Sequence, residues 1–407
     1  MATPAIHPST LTRRGLLAAT AGSLLLSGCG RDDQGEPRTG GSRAPDNREI
    51  VVGASLELSG PGAALGVLQE RALRITADEL NIDGVQVGNL RRKVRVVLRD
   101  NASDPRTAAR QARELALSDN VHALIGGTLA ETSMGIIAQA QEIRIPFISL
   151  AYGDGIVLPL ADRTYVYKVT PDSQDVAARL VRLLVAKKHR RVVLVAGHGL
   201  HGDAGVAAMT RATAAAGVDL ARVVRLPRTG QNFRPTLREV ADRGPKAIVV
   251  WSHAPDTGEA ARTLRIVGYR GPLYFDPAAV AEETMQERNL SSVEGAYAIH
   301  PISLGGSTLM NTTNAALARR DFAFRYIQLY GGFSGFAPYA SDALTLVTDA
   351  ARASGTVDRG RIRAFLRTQV SEGMAGAYAF SPSRHSGLER DSLGVYQVSR
   401  GAWTRVS

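Results

Sequence analysis

At 407 residues, 44% hydrophobic and 21% charged, the chain has the composition of a soluble globular protein long enough for two ordinary domains with full cores. Its net charge of +11 is carried mostly by arginine, since only Lys93, Lys168, Lys187, Lys188 and Lys246 are lysines. These arginines are scattered, often beside acids, with no basic run beyond short groups such as Arg91-Arg92-Lys93, which argues against a nucleic-acid partner.

The N-terminus reads as an address label. Arg13-Arg14 precede an apolar run from Leu16 to Leu26, too short to span a bilayer, and Leu26-Ser27-Gly28-Cys29 follows. Residues 1–29 are therefore expected to be an export signal, with the paired arginines pointing to the twin-arginine route. The Leu-Ser-Gly-Cys ending resembles a bacterial lipobox, which makes Cys29 the expected lipidation site and membrane anchor. Cys29 is also the only cysteine, so intrachain disulfides, a cysteine zinc site and a cysteine nucleophile are excluded. Residues 30–47, rich in Gly, Pro, Asp and Arg, are expected to be a flexible tether. The folded body is then expected outside the cytoplasmic membrane.

That body opens on an apolar run, Ile50 to Ala54, followed by the glycine-dense turn Gly60-x-Gly62-x-x-x-Gly66. Leu68, Ala72, Ile75 and Leu80 then recur at helical intervals. Strand, turn and helix open a parallel α/β sheet, in which ligands meet the carboxyl ends of strands. The glycines come close to a dinucleotide fingerprint, but the first acid closing a following strand is Asp100, too distant for that motif. A tight turn beside some other ligand is the preferred reading, and no cofactor is expected.

In chain order, a strand over Val94–Leu98 leads to Asp104-Pro105, a cap and first position for a helix through Ala108, Ala112 and Leu115. Strands follow at Ala123–Gly127, Ile145–Ser149, Tyr165–Val169, Val192–Ala196, Val223–Leu226, Ala247–Trp251 and Leu273–Phe275. Helices alternate with them at Glu131–Glu142, Asp172–Lys187, Asp203–Ala216, Phe233–Arg243 and Asp256–Val267. Such alternation predicts parallel sheets with helices on both faces. The last third predicts helices over Asn314–Tyr330, Tyr339–Ala353 and Arg359–Thr368. Strands Leu393–Val398 and Trp403–Val406, joined at Arg400-Gly401, end the chain.

Ordered motifs along this body carry a resemblance. They are Leu58-Ser59-Gly60-Pro61, Asp104-Pro105, Gly126-Gly127, Ile145-Pro146-Phe147-Ile148-Ser149, Tyr167-Lys168, Gly202-Asp203-Ala204-Gly205, Gly295-Ala296-Tyr297 and Tyr339 with Asp342. Together they resemble the type I periplasmic binding proteins of the leucine/isoleucine/valine family, over about residues 49–399. The resemblance implies an α/β fold of two doubly wound parallel-sheet lobes joined by three crossovers. Lobe one would hold residues 48–169 plus 302–373, and lobe two residues 172–297 plus 381–407. It further implies a monomeric receptor that captures a small-molecule ligand by hinge closure and delivers it to an ABC transporter permease.

The family holds an α-carboxylate with loops after the Gly-Gly and Ile-Pro strands, and an aromatic and an acid from lobe two hold the rest. Here those loops supply Thr128, Leu129 and Ala130, and Ala151, Tyr152 and Gly153. Ala130 stands where a serine is expected and Gly153 where a threonine is usual. Backbone N–H groups of residues 129–131 and 152–153 remain to hold an anion. His201 takes the place of a tyrosine, and Ala278 that of the acid, with Asp276 two residues earlier. These departures widen the expected ligand to a small polar solute: amino acid, amide or carboxylate.

Each candidate also has a plainer role. Ser59 forms the turn or faces ligand, and Asp276 caps a helix or binds ammonium. Tyr152, an aromatic on a Gly-flanked loop, is expected to contact ligand rather than core. His201 ends a strand, as does His253 in Trp251-Ser252-His253, where Trp251 belongs to the core. His198 and His201 lack a third partner for a metal, so none is expected. Two other classes stand beside the receptor: a ligand sensor signalling to a membrane kinase, and an enzyme such as an NAD(P)-binding oxidoreductase. The chain contains no Gly-x-Ser-x-Gly, His-Glu-x-x-His or Cys/His pair, and is not expected to be an enzyme.

Overall fold

A computed structural model describes residues 48–305 and 313–407. The expected signal, Cys29 and the tether lie outside the described residues.

The opening apolar run forms β1 (Glu49–Leu56), in which every residue after Glu49 is buried, as suits a strand covered on both faces. The glycine turn leads into α1 (Ala63–Asp83). A Cβ on Gly66 would lie 2.1 Å from the Glu57 carbonyl oxygen, so this glycine lets α1 pack close against the end of β1. Next come β2 (Val85–Val87), β3 (Leu90–Asp100) and α2 (Pro105–Leu117). Asp104 caps α2, accepting the Thr107 N–H at 2.6 Å. Then β4 (Ala123–Gly126), α3 (Ala130–Ile143), β5 (Phe147–Ser149) and β6 (Val166–Lys168) complete a six-stranded sheet in the order β2-β3-β1-β4-β5-β6. All its neighbours are parallel except β2 and β3.

The second sheet is built by α4 (Ser173–Ala186), β7 (Arg191–Ala196), α5 (Gly199–Ala215), β8 (Asp219–Arg225), α6 (Arg234–Asp242), β9 (Ile248–Trp251), α7 (Asp256–Ile266), β10 (Leu273–Phe275), α8 (Glu287–Val293) and β11 (Tyr297–Pro301). Helices α9 (Asn314–Tyr330), α10 (Ala337–Ser354) and α11 (Arg359–Leu366) then return to the first sheet. There the Thr76 hydroxyl of α1 meets Ser341 of α10 at 2.8 Å. A hairpin of β12 (Val370–Glu372) and β13 (Ala377–Ala379) precedes β14 (Leu393–Ser399) and β15 (Ala402–Arg405). These last two extend the second sheet as antiparallel edge strands, in the order β15-β14-β11-β10-β9-β7-β8. Their turn places Arg400 and Gly401 at φ 54° and 71°, the left-handed pair of a two-residue hairpin.

Each sheet is sandwiched between two apolar layers. Around the first, Ala112, Leu115, Ile137 and Phe147 fill one face, while Leu68, Ala72, Leu344 and Val347 fill the other. Around the second, Val193, Leu237 and Leu264 oppose Leu180, Leu184 and Met209. Where the chain first leaves the first sheet, the Lys168 N–H donates to His385 O (2.9 Å) and the Gly387 N–H to Lys168 O (3.2 Å). The strand end at β6 and the returning segment thus run side by side. The fully buried Lys168 ammonium is held there by Asp172 at 3.4 Å and Asp154 at 3.8 Å.

Two differences from the sequence reading bear on the site. Helix α5 begins at Gly199 rather than Asp203, which moves His201 from a strand end into a helix's first turn. The short pieces β2, β11, β12, β13 and α8 are too brief or too polar to stand out as periodic segments.

Candidate ligand-binding site

In each sheet the strand order reverses at one point. It does so between β1 and β4 in the first sheet and between β7 and β9 in the second. Crevices form at the carboxyl ends of such strand pairs. The residues that follow these four strands are Glu57, Gly127 to Ala130, Gly197 to His201, and Ser252 with His253.

In the first crevice Glu57 is fully buried. Its carboxylate accepts the N–H groups of Thr128 (2.9 Å) and Leu129 (3.2 Å) and the Thr132 hydroxyl. A side chain of the protein therefore occupies the amide corner that opens α3. Thr128 turns its hydroxyl away to Gln69 at 2.6 Å, and Ala130 is buried in the first turn of α3. The expectation that the Leu129 N–H is free to hold a ligand anion is corrected: Glu57 already takes it. Glu57 was missed, although an acid between Leu56 and Leu58, at the end of an apolar strand, is its signal.

In the second crevice His201 Nε2 lies 2.9 Å from Asp276 Oδ2. Asp276, fully buried, also accepts the N–H groups of Ser252 and Ala278, each at 3.0 Å. Asp276 is therefore a cap of the turn Pro277–Ala279 and the orienting partner of His201 at once. His201 and His253 pack ring on ring, 4.4 Å apart, and the Nδ1 atoms of both are buried without a hydrogen-bond partner. Burial, with His201 beside it, holds the His253 imidazole well below its ordinary pKa. Among the described residues no three His, Cys, Asp or Glu side chains are grouped to hold a metal.

Tyr152 joins the two crevices. From the loop after β5 its ring meets His201 at 5.5 Å and His253 at 6.3 Å, and it packs edge-on against Phe336 and Tyr339 of the same apolar cluster. Its hydroxyl bonds that of Tyr339 at 2.9 Å, and burial pushes its pKa well up. The expectation that Tyr152 stands apart from the core is corrected here: it is 3% exposed and belongs to the first core. Beside it Gly153 has φ 114°, a conformation that disfavours the threonine expected there, and it abuts Leu200 and His201. Ala151 is buried, its carbonyl accepting the Thr170 hydroxyl at 2.6 Å. Glu131 reaches across to the Leu200 N–H at the start of α5, 3.4 Å away.

Ser59 is not brought to this cluster. It is exposed, and its N–H donates to Asp100 at 3.1 Å while its carbonyl accepts the Ser103 hydroxyl at 2.8 Å. The structure thus gathers Tyr152, Gly153, His201, His253 and Asp276, with Phe336 and Tyr339 as neighbours from a helix remote in sequence.

The profile of a family described as "Periplasmic binding protein" matches residues 49–402. Among curated proteins, Leu/Ile/Val-binding protein homolog 7 of Brucella abortus is 28% identical over 146 residues, 35% of this chain and 35% of the relative. The aligned stretch thus spans about a third of that relative's length. Among solved structures, an extracellular ligand-binding receptor from Rhodopseudomonas palustris HaA2 superposes with a TM-score of 0.79 at 24% identity, covering 88% of this chain and 99% of the other. A leucine-binding protein from Thermotoga maritima gives a TM-score of 0.76 at 21% identity, covering 88% and 98%.

Proposed function

The chain belongs to the type I periplasmic binding proteins of the leucine/isoleucine/valine-binding type, and from that membership we propose that it is the solute receptor of an ABC importer. It takes a small polar organic ligand between its lobes and hands it to a membrane permease. The observation that carries this reading is Tyr152 of the first lobe in ring contact with His201 and His253 of the second. Contacts that span two lobes exist only when the lobes are together, so a ligand that adds to them favours the closed form. We place lobe one at residues 48–169 plus 302–373 and lobe two at 172–297 plus 381–407. Export and a lipid on Cys29 would keep the receptor at the outer face of the membrane, working as a monomer. No described helix is long and apolar enough to cross a membrane.

A thermal-shift screen of the purified protein against amino acids, amides, small carboxylates and urea tests the reading. A true ligand at a hundredfold excess over Kd adds about 2.7 kcal/mol of stability. A binder whose affinity survives Tyr152→Ala and His253→Ala, both still folded, would place the solute elsewhere and end this account.

A further inference from the structure

The charge inside the crevice narrows the ligand. Glu57 sits with its carboxylate against the Thr128 and Leu129 N–H groups, where a free ligand carboxylate would otherwise find its donors. Asp276, fully buried, holds His201 beside Tyr152, and Glu131, exposed in the first turn of α3, leans on the Leu200 N–H. Among the described residues, no ion pair joins Glu57, Glu131 or Asp276 to a lysine or arginine; the one ion pair among them is Asp276 with His201. Glu57 and Glu131 thus lack a balancing lysine or arginine in a chain whose net charge is +11. A second, independent feature points the same way. Asp276 Oδ2 lies 2.9 Å from His201 Nε2, so Nδ1 is the ring atom left to meet a ligand. That atom, on a residue 3% exposed, has no partner, and neither does Nδ1 of His253. Buried polar atoms of this kind call for a ligand partner, and the His253 ring, kept neutral by burial beside His201, holds one nitrogen as an acceptor for an N–H donor.

We propose that the ligand is an N–H donor without a free carboxylate, an organic ammonium, amidinium or amide, and that Glu57 excludes the carboxylate that an α-amino acid would bring. This rests on the receptor reading above. Negative charge next to Glu57 would be repelled, and the Thr128 and Leu129 amides that open the loop are taken. An N–H donor gains the His253 acceptor and meets no like charge.

The test is calorimetric titration of the purified protein with matched pairs: leucine against leucinamide, benzoate against benzamidine, acetate against acetamide. The amide or amidine member of a pair is expected to bind at least tenfold more tightly. A carboxylate member that binds as tightly as its partner, or more so, overturns the inference and leaves the receptor reading standing. Absence of binding by every probe, with urea and the common amino acids included, takes down both. Glu57→Gln keeps the side chain's size and removes its charge. It should raise the affinity for the carboxylate member relative to its partner about tenfold, and an unchanged ratio in a folded variant counts against the inference. The comparison on the unsubstituted protein needs no variant, so it decides the matter even if Glu57→Gln does not fold.

Discussion

Tyr152 and Tyr339 offer the sharpest energetic test, because each hydroxyl has the other as its partner inside a buried core. The two oxygens are 2.9 Å apart, with Tyr152 3% exposed and Tyr339 fully buried. Tyr152→Phe removes one hydroxyl, leaves the rings packed, and strands the Tyr339 hydroxyl without that bond. Leaving a buried polar group unsatisfied costs about 1–3 kcal/mol. Tyr339→Phe should cost a similar amount. The double variant removes both groups together, so it should be no less stable than the worse single variant, a coupling of about 1–3 kcal/mol. Tyr152→Ala goes further, since truncating a large buried ring costs roughly 3–5 kcal/mol. Urea unfolding reads all four, and an unchanged slope keeps the midpoints comparable. Additive costs for the two Phe variants would show that the hydroxyls do not pair. A Tyr152→Ala midpoint equal to that of the parent would show that the ring is not core in the ligand-free protein.

Three further outcomes follow from the same geometry. A Cβ on Gly202 would lie 1.9 Å from the Gly197 carbonyl, so Gly202→Ala should push α5 outward, cost about 1–3 kcal/mol in urea, and weaken ligand binding by displacing His201. Burial raises the pKa of Asp342 from 3.8 to about 6, against the Met374 and Ala375 N–H groups and the Tyr378 hydroxyl that favour its ionised form. Because the folded chain holds that proton more tightly than the unfolded one, its contribution is fully present below about pH 4 and fades as pH rises through about 6. Asp342→Asn should therefore flatten the fall in stability across that window, measured as urea midpoints at several pH values. Glu131 touches the Leu200 N–H only across the two lobes, so Glu131→Ala should weaken ligand affinity roughly two- to fivefold, as loss of an acid at a helix start does. Its stability in urea should fall by no more than about 1 kcal/mol, since Glu131 is exposed and its charge also lies in the first turn of α3.

Much of the framework was legible because it is local. The apolar runs at Ile50, Ala123 and Val192, the Asp104-Pro105 cap and the Arg400-Gly401 turn announce themselves within a few residues, and alternation of strands with helices then prescribes parallel sheets. Leu273–Phe275 and Asn314–Tyr330 stand where their patterns place them. The site was legible only in part. His201, His253, Asp276 and Tyr152 follow strands or flank glycines, so a rule about strand ends finds them. What they touch is not local. Tyr152 looks exposed on its loop, and only the return of α10 to the first lobe brings Phe336 and Tyr339 over it. Glu57 reads as one acid beside a turn until β4 is set next to β1, when its carboxylate meets the amides of Thr128 and Leu129. Ser59, open between turn and ligand in the sequence, is held in its turn by Asp100 and Ser103 from the neighbouring strand end.

Small-angle scattering tests lobe closure most directly, with the purified protein measured alone and then saturated with a ligand found by thermal shift. Closure of two lobes on that solute predicts a smaller radius of gyration in the second curve. Superimposable curves, with binding verified calorimetrically in the same sample, would contradict it.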